Sequence, residues 1–172
     1  MAEFATPTHG DGRSAALSDC GRWRWRLDRP IGDGRVVAAV FGINPSTADA
    51  LRDDPTVRKW RGFGQRLGWG RVIVGNVFAW RAANVRELAR AADLFGPDYE
   101  RHLDDIIRDA DILVPCWGAR DKIPRALRPE LDRMKARLAA SGKPMHCWGM
   151  TGSGDPCHPL TLGYATPLVR YA

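Results

Sequence analysis

The chain has 172 residues, of which 44% are apolar and 27% charged, as in one ordinary folded domain. This composition excludes disordered, collagen-like and repeat proteins, and the chain has no run of 18 apolar residues that would predict a membrane-spanning helix. The four cysteines form no CxxC pair, and the N-terminus has no apolar core of a secretory signal. These features predict a cytoplasmic protein with reduced thiols and no membrane partner.

The positive charge is concentrated in the first half of the chain. Residues 22–92 hold 13 Arg and one Lys against six Asp and Glu. A basic half suits a polyanionic partner such as nucleic acid. The alternative explanation is a genome of high GC content, because Arg outnumbers Lys by 22 to 4 in the whole chain.

The N-terminal pattern predicts a tail followed by two strands. Residues 1–20 are polar and Gly-rich and predict a flexible tail, so a single α/β domain is expected over residues 21–172. Residues 22–27 alternate Arg with bulky residues, which predicts a strand with one face in solvent. Residues 35–43 are almost continuously apolar and predict a strand buried on both faces. These two strands are expected to form a hairpin.

Further on, helical and strand patterns alternate. Apolar spacings of three and four predict helices that begin after Asp53-Asp54, at Asn84, at Pro97 and near Ile123. Apolar runs predict core strands over residues 71–78, 111–118 and 143–150. The expected fold is a three-layer α/β/α domain. Its mostly parallel central sheet has about four core strands plus an N-terminal antiparallel hairpin strand.

The residues with useful chemistry follow the apolar runs. In a parallel α/β sheet, ligands bind where the carboxyl ends of the strands meet. Amides suit the edge of a nucleobase or an oriented water, aromatic rings suit stacking on a base, and a histidine suits a developing anion. The expected substrate-binding set around one crevice is Ser46, Thr47, Asp54, Asn76, Phe78, Arg81, Trp117 and Gly118, with Asn44 and His158 as the catalytic pair.

Several of these residues also have simpler explanations. Asn44-Pro45-Ser46 is a good turn, and the tryptophans are typical core residues. Asp53-Asp54 is a helix cap or, alternatively, a general base or metal ligand. Ser46, His158 and Asp155 resemble a catalytic triad in composition only, because no G-x-S-x-G motif is present.

A metal or cofactor is not predicted. His146, Cys147, Cys157 and His158 match no standard zinc spacing. The cysteine spacing likewise argues against an iron–sulfur cluster, and no Walker or G-x-G-x-x-G phosphate-binding motif is present.

Five motifs resemble those of an uncharacterised bacterial and phage family, a domain of unknown function. The resemblance covers roughly residues 22–165. The motifs are Asn44–Ala48 (NPSTA), Asp53–Thr56 (DDPT), Asn76–Arg81 (NVFAWR), Trp117-Gly118 and His158–Leu160 (HPL).

A shorter resemblance is to the uracil/thymine-DNA glycosylase superfamily. Gly42-Ile43-Asn44-Pro45 is similar to the first motif of the mismatch-specific branch, and His158-Pro159-Leu160 is similar to the start of a His-Pro-Ser motif in the last loop. Asn76 is similar to a strand-end asparagine in that superfamily. Ser46 stands where the mismatch-specific motif has glycine, and no Ser follows His158-Pro159. The resemblance implies a uracil-DNA-glycosylase-like fold and base-binding pocket.

The glycosylase resemblance also implies roles for the residues. Asn44 would position the attacking water, Asn76 would recognise the edge of the base, and His158 would donate to its carbonyl oxygen. An aromatic ring such as Phe78 would stack on the base. Phosphates would bind the basic stretch that contains Arg58, Lys59 and Arg61.

The expected function is therefore a nucleobase-recognising hydrolase, with nucleic acid or a nucleotide as partner and no cofactor. Two alternatives stay open. One is a non-catalytic module that binds a nucleotide or modified base with the same fold. The other is an enzyme on a phosphorylated small molecule, which would use Arg81 and the Asp53-Asp54 pair.

Overall fold

A computed structural model describes residues 10–171. Residues 1–9 of the expected tail and Ala172 lie outside the described residues. Within the described part no helix has the length and apolarity to span a membrane. The strands are β1 (Ser14–Leu17), β2 (Arg24–Pro30), β3 (Val37–Gly42), β4 (Arg71–Asn76), β5 (Ile112–Pro115), β6 (His146–Cys147) and β7 (Val169–Arg170). The helices are α1 (Pro55–Arg66), α2 (Tyr99–Asp109) and α3 (Pro129–Ala140), with 3-10 turns at Val85–Arg90, Arg120–Lys122, Arg125–Leu127 and Pro159–Thr161.

Five strands form one mixed sheet in the order β1-β2-β4-β3-β5. β3 pairs in parallel with β4 and β5, whereas β2 pairs antiparallel with β1 and β4. The expectation of a mostly parallel sheet was therefore wrong, because two of the four pairings are antiparallel. The expected hairpin between residues 22–27 and 35–43 was also wrong. Since β3 is apolar on both faces, it takes an inner position between two parallel neighbours, and β2 pairs elsewhere.

The partner of β2 in the antiparallel hairpin is β1, which lies inside the expected tail. Ala15 and Ala16 of β1 are buried. Their side chains are small and the strand has only four residues, so the sequence gives little sign of it. The part of the tail from Ser14 onward is therefore folded into the sheet.

Helices cover both faces of the sheet. Ala39 and Phe41 of β3 pack into one apolar cluster with α2 and α3 residues such as Ile106 and Leu131. The alternate β3 residues Ala38 and Val40 belong to a second cluster, which contains Val57, Trp60 and Phe63 of α1. Since successive side chains of a strand point to opposite faces, α1 lies on one side of the sheet and α2 with α3 on the other.

Two C-terminal elements are shorter than the sequence predicts. In place of a fourth core strand over residues 143–150, only Met145 bridges Leu113 in parallel, and β6 pairs with β7 in a separate small sheet. Pro144 has no N–H to donate to a ladder. The helix expected from Ile123 onward starts at Pro129 as α3, because a proline is tolerated at the first helical position but not inside a helix.

The expected solvent-facing side of β2 was also wrong, because none of its seven residues is exposed. Arg24 is 2% exposed and Arg29 is fully buried. Residues 44–53, here called the covering loop, fold across them. Arg24 donates to the carbonyl of Ala48 at 2.9 Å, and Arg29 donates to the carboxylate of Asp53 at 2.7 Å. The two arginines thus hold the covering loop against β2.

Candidate functional site

A cavity of about 610 Å³ opens at the carboxyl ends of β3 and β4, where Gly42 and Asn76 are register partners. Its volume lies within the range of small-molecule sites. The covering loop, the start of α1, the segment after β4 and the last loop all contribute to its wall. The lining residues are Arg24, Gly42, Ile43, Asn44, Ser46, Asp54, Thr56, Trp60, Asn76, Ala82, Ala83, Asn84, Val85 and His158. Five residues of the sequence-predicted site are among them: Asn44, Ser46, Asp54, Asn76 and His158.

Asn76 is a buried amide without a protein partner. The residue is 5% exposed, and its Nδ2 makes no hydrogen bond within residues 10–171. A buried polar group without a partner is costly, so an unpaired amide in a cavity wall points to a guest that supplies the partner. Gly42 makes room for it: a Cβ on Gly42 would lie 3.1 Å from Asn76 Oδ1 and 3.4 Å from the ring of Trp60.

Asn44 donates both hydrogens of its side-chain amide, and its Oδ1 is available as an acceptor. Nδ2 donates to the carbonyls of Pro45 and Ala82, both at 2.9 Å. Among the described residues, none donates to Oδ1. This arrangement fixes the orientation of the amide, so Asn44 presents an acceptor to the cavity.

His158 is held in one protonation state. Its Nδ1 accepts from the backbone N–H of Leu160 at 3.3 Å and so caps the 3-10 turn at Pro159–Thr161. Burial lowers the pKa of His158, the Lys122 cation lowers it further, and Asp54 partly opposes both. The ring is therefore neutral at pH 7. Because Nδ1 accepts, its proton lies on Nε2 and makes that atom a donor.

The loop that precedes His158 is fixed by an ion pair. Asp155 is 1% exposed and accepts from the backbone N, Nε and Nη2 of Arg120, and also from Ser153. Burial raises the pKa of Asp155, but the Arg120 hydrogen bonds outweigh it and hold the pKa below its ordinary value. Gly118 donates its N–H to the carbonyl of Pro156 at 2.8 Å. The loop is thus tied to the segment that follows β5.

Arg24 is a cavity residue that the sequence did not reveal. It is fully enclosed, yet within residues 10–171 it forms no ion pair, and its Nε has no hydrogen-bond partner. Burial lowers the pKa of Arg24 to about 10, and the charge of Asp54 opposes this shift. Arg24 is therefore still a cation at pH 7. The Arg-Trp alternation around Arg24 predicts a side chain that faces solvent. The sequence therefore gives no sign that Arg24 lines a cavity.

The start of α1 forms another part of the wall. Asp54 caps the helix by accepting from Val57 N at 2.8 Å, as the simpler explanation of this residue expected. Trp60 is 3% exposed and is an aromatic of the cavity wall. Asp53 does not line the cavity. Burial raises its pKa, but hydrogen bonds from Arg29 and Arg61 dominate and keep the pKa below its ordinary value.

Five predicted substrate-binding residues lie outside the cavity wall. Phe78 is fully buried beside Phe95, and Trp117 is 2% exposed in the core, because their apolar rings serve the packing of the α2 and α3 side. Arg81 donates to the carbonyls of Ser46 and Gly21. Through Ser46 it helps to hold the covering loop in place. Thr47 is exposed, and Gly118 packs against His158.

The predicted phosphate-binding residues on α1 also lie outside the cavity. Arg61 pairs with Asp53 at 2.8 Å, and the ammonium of Lys59 sits 4.1 Å from the ring centre of Tyr164. Arg58 is exposed and donates to the carbonyl of Asp53. Arg58 and Arg61 line a separate shallow groove with Gln65, Arg66 and Tyr164.

The hydrolytic triad considered from the sequence does not form. Its histidine would have to donate from Nδ1 to Asp155, yet His158 Nδ1 accepts from Leu160 and Asp155 binds Arg120. Over residues 10–171, no group of three His, Cys, Asp or Glu side chains is arranged to hold a metal ion.

Comparison with known protein families gives a match over most of the chain. The family model described as "Protein of unknown function (DUF1643)" matches residues 24–160. No curated protein and no solved structure matches the chain. The matched range contains Arg24, Asn44, Asn76 and His158, so the model spans the polar residues of the cavity.

Proposed function

This chain belongs to the DUF1643 family, whose description names no activity. From the residues of the cavity, we propose that the protein is a nucleobase-recognising hydrolase. The proposed reaction is hydrolysis of an N-glycosidic bond, which joins a base to its sugar. The observation that supports it best is the buried, unpaired amide of Asn76 in the same wall as Asn44 and His158.

Base recognition is assigned to Asn76. A primary amide offers donors and an acceptor side by side, which matches a base edge that places a carbonyl oxygen next to a ring N–H. Uracil and thymine have such an edge. The resemblance of Asn76 to the strand-end asparagine of the uracil/thymine-DNA glycosylases supports the same role. Trp60 supplies an aromatic ring in the wall against which a planar base packs.

The chemical step is divided between Asn44 and His158. Asn44 Oδ1 accepts a hydrogen bond from the attacking water and so orients its lone pair toward the sugar carbon. The bond from water oxygen to that carbon forms, and the carbon–nitrogen bond breaks with its electron pair leaving on the base. Neutral His158 donates from Nε2 to the base oxygen where negative charge develops. The water gives up a proton to solvent, and the departing base takes one up.

The test is release of free base from a defined panel. The panel contains the common nucleosides, their monophosphates, and oligonucleotides with uracil, thymine mismatches or modified bases. Base release is followed chromatographically, and abasic sites by alkaline cleavage. Asn44→Ala and His158→Gln are expected to lower the rate about 100-fold or more. His146→Gln is the matched control, because His146 lies outside the cavity wall. No base release from any member of the panel would contradict the proposal.

A second candidate function is binding without chemistry. The carboxylate in the cavity wall, Asp54, already accepts the hydrogen bond that caps α1, and Asn44 is a neutral amide. The wall therefore offers weak general-base chemistry. Tight binding of a panel member with no base release, unchanged in Asn44→Ala, would favour the binding module over the hydrolase.

A further inference from the structure

The charge of Arg24 is the least compensated feature of the cavity. Only Nη1 has a partner among the described residues, the carbonyl of Ala48 at 2.9 Å. A charge buried without an opposite charge is costly, and native proteins rarely keep one without a reason. Arg29 on the same strand shows the usual solution, since it is buried against the Asp53 carboxylate at 2.7 Å.

The neighbouring charges do not neutralise Arg24. Arg29 and Arg81 are cations close enough to disfavour its charged form, whereas Asp54 and Asp49 favour it. Asp54 lines the cavity but forms no ion pair with Arg24, and it is occupied as the α1 cap. An anionic group brought into the cavity by a guest would complete the coordination of the guanidinium.

The cations on the outer surface of α1 contrast with Arg24. Arg61 pairs with Asp53, Lys59 and Arg66 lie over the face of Tyr164, and Arg58 is exposed and donates to the carbonyl of Asp53. An exposed cation keeps its hydration, whereas Arg24 is buried without an ion pair among the described residues, in the same wall as the unpaired amide of Asn76. An anion therefore gains most from a position inside the cavity, beside Arg24.

We propose that the guest is a nucleoside monophosphate, with its base edge at Asn76 and its phosphate at Arg24, and not a base within duplex DNA. This inference rests on the proposed function, since it names the substrate class of the same site. Two sets of contacts then fill the cavity. The amide selects the base edge, and the guanidinium selects for the negative charge.

The first arm of the test uses the wild-type protein. Isothermal titration at fixed ionic strength compares uridine, thymidine, cytidine, adenosine and guanosine with their 5′- and 3′-monophosphates, inorganic phosphate and a uracil-containing duplex. At least one monophosphate is expected to bind about tenfold or more tightly than its nucleoside, as for hydrogen bonds to a charged group. Inorganic phosphate is expected to compete with it.

The second arm uses Arg24→Met, with Arg24→Lys as the variant that keeps a charge. Within Arg24→Met, the monophosphate is expected to bind no more tightly than its nucleoside, whereas Arg24→Lys is expected to keep part of the preference for the monophosphate. Arg58→Met is the control, since Arg58 is an exposed cation outside the cavity. If Arg24→Met does not fold, the wild-type comparison decides alone.

The outcomes separate this inference from the proposed function. Equal affinity for nucleoside and monophosphate overturns the phosphate site and leaves base recognition in place. Binding of the duplex without binding of any monophosphate likewise overturns the phosphate site and leaves base recognition in place. Failure of every member of the panel to bind overturns both proposals.

Discussion

Gly118, which follows β5, lies close against His158 of the last loop. A Cβ built on Gly118 would lie 3.1 Å from the Cβ of His158, and Gly118 has a φ of +79°. A left-handed φ of this kind is natural for glycine and strained for other residues. The Trp117-Gly118 motif therefore supports the histidine sterically, and does not provide a stacking surface for the guest.

Gly118→Ala is expected to weaken both folding and function. The alanine has to adopt a left-handed conformation, at a cost of about 1–3 kcal/mol, and its methyl group displaces His158. Thermal unfolding measures the first effect, and ligand binding or base release measures the second. Gly152→Ala, in the loop that carries His158, is the control, because a Cβ there meets no atom within 4 Å. Equal behaviour of the two variants would show that the contact is unimportant.

Asp155→Asn is expected to destabilise the protein by about 1–3 kcal/mol, because a buried carboxylate that accepts several hydrogen bonds from Arg120 loses its charge. Asp132→Asn provides the comparison, since Asp132 binds the same arginine but its side chain is 61% exposed. That change is expected to cost at most about 1 kcal/mol. Urea unfolding of both variants makes the measurement, and similar losses in the two would argue against the buried pair as the anchor of the loop.

The positions of several residues in the candidate site could be predicted because they depend on local rules. Asn76 and Gly42 end apolar runs, and the ends of parallel neighbours in a sheet lie side by side. Asp53-Asp54-Pro55 has the pattern of a helix start, so the position of the α1 cap also followed from the sequence. The place of His158 was expected from a fourth core strand over residues 143–150, of which the structure keeps only the parallel bridge from Met145 to Leu113.

The missing parts depend on long-range packing. Arg24 and Arg29 belong to a strand whose alternation is typical of a half-exposed sheet, and only the covering loop, some 20 residues later in the chain, buries them. No local pattern predicts that burial. The sequence gives no sign of β1 for a related reason, since this short segment of three small residues and Leu17 becomes a strand only when β2 offers an edge to pair with. The sequence predicts Trp117 and Phe78 in the cavity, but both rings pack in the apolar core.

The protonation of His158 is expected to limit the working pH from below. Its folded-state pKa lies below the ordinary value of about 6.5, so the stability and the Leu160 cap that depend on neutral His158 are fully present above that pH. Both are lost as the pH falls through the lowered pKa, because protonated Nδ1 cannot accept. Ligand binding is expected to decline over the same range. The NMR titration of the ring gives the pKa directly.

Lys122→Gln tests the electrostatic part of this shift. Removal of a cation that disfavours protonation is expected to raise the pKa of His158 toward its ordinary value and to move the acid limit of binding upward with it. Lys135→Gln serves as the control, since Lys135 sits over Tyr171 and is not among the charges that shift His158. An identical His158 titration in both variants would show that burial alone sets the pKa.

Asn76→Leu is expected to separate function from stability. Leucine has the same number and branching of side-chain heavy atoms as asparagine and adds no polar atom, so the substitution removes a buried donor that has no partner within the described chain. An unsatisfied buried donor costs about 1–3 kcal/mol, and its removal is therefore expected to leave the free energy of unfolding unchanged or raised by about 1 kcal/mol. Base binding and base release are expected to disappear, because no amide is left to pair with the base edge.

Urea unfolding and titration with the best-bound panel member provide the two measurements. A fall in stability of more than about 2 kcal/mol would mean that the Asn76 amide supports the fold, and would remove the main reason for assigning it to a guest.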